Sequence, residues 1–118
     1  MSKILIVDDS RTSRKILREY FTEAGHEIVA EAENGQEGVE KYSEFKPDIV
    51  TLDITMPVLD GLAALKEIKK IDPNAKVVMV TAVGKQNMVV EAIKSGASEF
   101  VTKPFDKDNI LKIISKLG

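Results

Sequence analysis

The sequence has no cysteine, which excludes a disulfide framework and thiolate chemistry. It has one histidine, His26, which excludes a multi-histidine metal site. It has no tryptophan, so tyrosine is left as the fluorescent reporter. It has little charge imbalance: the formal net charge of -2 sets up no field that would draw it to nucleic acid or to anionic lipid. No apolar run approaches the roughly 20 residues that cross a bilayer. No signal peptide is visible, because Lys3 is followed by only four apolar residues before Asp8. The expectation is a soluble, monomeric, cytoplasmic protein that binds neither nucleic acid nor membrane.

What is present suits a globular chain. Its 118 residues are 43% apolar and 31% charged, the size and balance of one domain spanning residues 1–118. Such a chain buries roughly two-thirds of its unfolded surface. No low-complexity segment or linker divides it.

Short runs rich in Val and Ile recur at residues 3–7, 27–31, 48–52, 76–80 and 99–102. Several are apolar without alternation, as strands of a parallel sheet covered on both faces are. Helical patterns fill the gaps. Ile16, Leu17, Tyr20, Phe21 and Ala24 share a face, and Gly25 stops it. Asn34 and Glu37 form a capping box ahead of Val39 and Tyr42. Leu62, Leu65 and Ile68 make a third stripe, and Met88, Val89, Ala92 and Ile93 a fourth, ended by Gly96. Asp106 caps a fifth helix that turns Ile110, Ile113, Ile114 and Leu117 inward. The order is β-α five times, an α/β fold with a doubly wound five-stranded parallel sheet. Ligands of such sheets bind beyond the carboxyl ends of the strands, where strand order reverses.

The chemistry-bearing residues fall at those ends. Asp8 and Asp9 follow the first run, Asp53 the third, Thr81 the fourth and Lys103 the fifth. Any one of the acids alone reads as a helix cap or turn residue. The signal is that all five sit at the carboxyl ends of four separate strands. Three carboxylates and one ammonium sum to -2, and unmatched charge in a partly desolvated crevice is costly. A divalent cation brings the sum to zero. Oxygen donors without His or Cys select a hard ion, with Mg2+ first. Cation, carboxylate, hydroxyl and lysine around one crevice suit phosphoryl transfer. Asp53 is the candidate nucleophile, and Lys103 and Thr81 the holders of phosphoryl oxygens. Glu31, on an edge strand, reads as solvated. So do His26, at a turn, and the first helix's Arg11, Arg14, Lys15 and Arg18.

The segments VDDS, LDITMPVLDG, TA at 81–82 and TKPF resemble the signature of two-component response-regulator receiver domains, in order and spacing over the whole chain. The resemblance implies a flavodoxin-like strand order of 2-1-3-4-5. It implies that Asp53 accepts a phosphoryl group from a histidine kinase. It implies Mg2+ held by Asp8, Asp9, Asp53 and the backbone carbonyl of Thr55. Thr81 and Phe100 become the switch pair, and the Lys103–Pro104 bond is expected to be cis. Thr55 and Val83 stand where an Asn and an acidic residue are familiar in that family, which bears on phosphate lifetime and on a phosphatase. The implied output is a protein contact through about residues 85–117 with a motor or adaptor protein. Chemotaxis, through flagellar or archaellar motor control, is the favoured setting, and a phosphorelay intermediate the alternative. The protein is then a switch that catalyses only its own phosphorylation and dephosphorylation. Two rivals belong to other classes. A small aspartate-nucleophile phosphohydrolase needs a second Asp where Thr55 stands. A flavin or nucleotide module needs a phosphate loop where the chain has DDSRTS.

Overall fold

The computed structural model describes the chain except Pro57 and residues 83–85, and Gln86 by its backbone alone. The strands are β1 (Lys3–Val7), β2 (Glu27–Ala32), β3 (Ile49–Asp53), β4 (Val77–Thr81) and β5 (Glu99–Thr102). The helices are α1 (Arg11–Glu23), α2 (Gly35–Phe45), α3 (Gly61–Ile71), α4 (Gln86–Lys94) and α5 (Lys107–Leu117). All strand pairs are parallel, in the order β2-β1-β3-β4-β5, as expected. Two strands sit one residue later than the apolar runs indicate, so Asp53 and Thr81 are the last residues of β3 and β4 rather than the first beyond them.

The apolar strands hide an alternation that the two faces reveal. Leu5, Val7, Val50, Leu52, Val77 and Met79 pack with Tyr42, Leu65, Ile68, Val89 and Ala92 of α2, α3 and α4. Ile4, Ile6, Ile49, Val78, Val80 and Val101 pack with Leu17 and Phe21 of α1 and Ile110 and Ile114 of α5. The central strands therefore read as unbroken apolar runs because both faces are covered. Among the described residues no helix is long and apolar enough to cross a membrane.

The helix starts carry the expected polar caps. The Asn34 side chain accepts from the Glu37 backbone N–H at 2.8 Å, the N-cap half of the expected capping box, and the Glu37 carboxylate meets the Asn34 side-chain amide at 3.4 Å. Asp106 accepts from the Asn109 N–H at 3.2 Å. Ser10 and Asp60 cap α1 and α3 in the same way. Such caps are each worth about 1 kcal/mol. Gly25 and Gly96 adopt the left-handed conformation after α1 and α4, as their stop positions require.

Three readings are corrected. Ile93 is half exposed rather than inward. Helix α4 is nine residues long, and Val89 and Ala92 suffice to cover its share of the sheet. Glu31 is not merely solvated, because it pairs with Arg18 at 2.7 Å and Arg14 at 3.6 Å. His26 is partly buried, and its Nδ1 accepts from the Ser2 N–H at 3.0 Å.

Candidate phosphoryl and cation site

Strand order reverses between β1 and β3. The crossover from β1 leads out to β2, and the one from β2 returns past β1 to β3. The crevice therefore opens at the carboxyl ends of those two strands. Asp8 and Asp53 stand there, and both are buried. Asp9 is exposed at the rim. One carboxylate oxygen from each of the three lies within 4.8 Å of the others.

Local structure holds each group. The Asp8 N–H extends the ladder to the Ala32 carbonyl at 3.0 Å, and Asp8 Oδ1 accepts from the Ser10 N–H at 2.8 Å. Asp53 Oδ1 accepts from the Thr55 N–H at 3.3 Å. The loop after β3 folds back tightly. The Gly61 N–H donates to the Ile54 carbonyl at 2.8 Å, and a β-carbon at Gly61 would overlap the Asp53 carbonyl oxygen.

Lys103 reaches in from the end of β5. Its backbone N–H donates to the Thr81 carbonyl at 2.9 Å, and the Lys103–Pro104 peptide is cis, as expected. Its ammonium donates to Asp8 Oδ1 and Asp53 Oδ2, each at 3.4 Å. It also lies 3.1 Å from Asp8 Oδ2, but off the hydrogen-bonding direction, so that contact is one of charge alone. Asp8 Oδ2 is thus a buried anionic oxygen with no hydrogen bond.

One lysine does not balance two buried carboxylates. Burial, and then the charge of Asp8, push Asp53 up to about 6, against the pull of Lys103 and the Thr55 N–H. Burial works against the Lys103 ammonium, but its hydrogen bond to Asp8 and the charges of Asp53 and Asp8 outweigh it and raise its pKa. An unbonded buried oxygen, three converging carboxylates and an all-oxygen donor set fit a hard divalent cation.

Thr81 is buried, and its hydroxyl donates to the Ala82 carbonyl at 3.1 Å. Phe100, opposite Met79 on β5, is 41% exposed and so is not a core residue. Between the two lies a cavity of about 360 Å³, walled by Val89, Val90, Ile93 and Thr102. Thr55 is exposed beside Asp53. Val83 lies outside the described residues.

The sequence matches the response regulator receiver domain family over residues 4–115. The chain belongs to that family. It is 52% identical over 116 residues to the chemotaxis protein CheY of Thermotoga maritima, covering 98% of this chain and 97% of that protein. It is also 52% identical to CheY of Bacillus subtilis, covering 97% of this chain and 95% of that one. In three dimensions it is similar to a chain in the CheX–CheY–BeF3–Mg2+ complex from Borrelia burgdorferi. The TM-score there is 0.93 with 41% identity, covering 98% of this chain and 87% of that one. Flavodoxin and CheY are standing examples of this receiver's strand order.

One residue at the site escaped the reading of the sequence. Arg14 does not lie on a solvated face: its side chain is 11% exposed and its guanidinium donates to the Asp8 carbonyl at 2.7 Å. Only its position six residues after Asp8, one helical turn past the Ser10 cap, hinted at that reach.

Proposed function

We propose that this receiver is a phosphorylation switch whose acceptor is Asp53 and whose donor is the phosphohistidine of a histidine kinase. The observation that carries this reading is the convergence of Asp8, Asp9 and Asp53 with Lys103 at the strand-order reversal. An Asp53 oxygen attacks phosphorus, the phosphorus–nitrogen bond to the donor imidazole breaks, and its electron pair stays on that nitrogen. The product is an acyl phosphate. Without a cation, burial and the charge of Asp8 hold the Asp53 carboxyl up at about 6, so it is still ionised at neutral pH.

Asp8, Asp9, Asp53 and the Thr55 backbone carbonyl would hold Mg2+. When bound, the ion supplies positive charge for the phosphoryl oxygens. Lys103 supplies further positive charge beside Asp53. Thr81 can exchange its bond to the Ala82 carbonyl for one to a phosphoryl oxygen. That exchange vacates space on the side of the cavity facing Phe100. The ring then turns inward and reshapes the surface of α4, β5 and α5. Phosphorylation shifts this balance only by stabilising one state more than the other.

The reading makes the chain a chemotaxis regulator, at work in the cytoplasm as a single domain of residues 1–118. Near-complete coverage of proteins named CheY supports chemotaxis over a phosphorelay. The partner on α4, β5 and α5 is a motor or adaptor protein. CheX occurs with CheY in the Borrelia burgdorferi complex, and a protein of that kind is the proposed phosphatase partner. The receiver acts on its own phosphoryl group and not on a separate substrate. Nuclear magnetic resonance with Mg2+ and beryllofluoride, a phosphoryl mimic, tests the switch. The Phe100 ring and residues 86–117 change shift as Asp53 is occupied. Unchanged shifts at an occupied Asp53 rule the coupling out.

A further inference from the structure

The peptide that joins Asp8 to Asp9 is held at its oxygen by a side chain from α1. Arg14 Nη1 donates to the Asp8 carbonyl at 2.7 Å. The guanidinium is itself clamped. Its Nε lies 3.6 Å from Glu31, and its Nη2 lies 3.6 Å from Glu33. Arg18, by contrast, is 46% exposed and pairs with Glu31 without touching the acidic turn. The N–H on the other side of Asp8 is fixed to Ala32. Both peptide groups of Asp8 are therefore tied down, one by the sheet and one by Arg14.

Asp9 lacks such restraint. Its side chain is exposed and makes no hydrogen bond or ion pair among the described residues. The direction in which it leaves the backbone is set by the peptide unit before it, and Arg14 holds that unit. We propose that Arg14 is a positioning residue for the cation seat, aiming Asp9 at the crevice by fixing the Asp8–Asp9 peptide. This rests on the cation reading given above.

Charge and position make opposite demands. A guanidinium bonded to the Asp8 carbonyl repels a divalent cation seated beside it, so if charge were its role, removing it would tighten binding. If position is its role, removing it loosens the seat. Lysine separates the two further, because it keeps the charge but lacks the planar fork that engages a carbonyl and two carboxylates together.

Mg2+ titrations followed by the amide shifts of residues 8–10 and 53–55 decide between them. Arg14→Gln and Arg14→Lys should each weaken Mg2+ binding about tenfold or more, the usual cost of losing a group that orients a metal ligand. Amide hydrogen exchange at Asp9 and Ser10 should quicken in both. Arg18→Gln should bind as the wild type does. Tighter binding by Arg14→Gln, or unchanged binding by Arg14→Lys, overturns the proposal. Arg14→Lys decides alone if Arg14→Gln does not fold. A wild-type chain that binds no Mg2+ overturns the seat itself, and the role of Arg14 with it. Wild-type binding with unchanged variants overturns only the role of Arg14.

Discussion

Gly61 lies against Asp53 so closely that a β-carbon there would overlap the Asp53 carbonyl oxygen. The start of α3 is thereby locked to the end of β3, the strand that carries the candidate acceptor. Gly61→Ala forces backbone to move, since no flexible side chain is there to yield. It should cost about 1–3 kcal/mol of stability, the range for overpacking. Urea unfolding checks the magnitude. The amide shifts of Ile54 and Thr55 should change with it, because the Gly61 N–H bonds Ile54 and the Thr55 N–H bonds Asp53.

Val58 is 79% exposed and has φ of 70°, a conformation that a β-branched residue adopts only under strain. Strain of this kind costs on the order of 1–3 kcal/mol. Glycine removes it but gives the unfolded chain more freedom, worth about 0.4–1 kcal/mol. Val58→Gly should therefore gain about 1 kcal/mol in urea unfolding. A loss of stability would mean that the valine is held without strain.

His26 gives the pH dependence its sign. Burial first, and then the amino-terminal charge, hold its pKa below the ordinary 6.5. The Phe21 ring stands nearly perpendicular to it with ring centroids 6.4 Å apart, and Nδ1 accepts the Ser2 N–H. Protonating Nδ1 destroys that bond. The unfolded chain therefore binds the proton more readily than the folded one. This contribution to stability is complete above the unfolded pKa and is lost as pH falls through the folded one. Unfolding midpoints should fall more steeply on acidification below about pH 6.5 in the wild type than in His26→Gln. Parallel curves would remove His26 from the account.

The sheet was legible because the covered central strands are apolar on both faces, and the five short runs rich in Val and Ile stand apart in this chain. The candidate site was legible because Asp8, Asp53, Thr81 and Lys103 occur at strand ends, and a parallel sheet gathers its strand ends on one side. What escaped depends on distance in sequence. Arg14 and Glu31 are 17 positions apart and read as solvated because nothing local marks their pairing. Ile93 is apolar, and composition cannot say that Val89 and Ala92 already cover the share of the sheet that its helix spans. The strain at Val58 is a property of the loop's path, not of its letters.

The central claim is that Asp53 is the acceptor, and one mass measurement tests it. Wild-type chain incubated with acetyl phosphate and Mg2+ should gain the mass of a single phosphoryl group. Asp53→Asn should gain none, because an amide is a poor nucleophile. Phosphorylation of Asp53→Asn to the wild-type extent, or none in the wild type, would contradict the account.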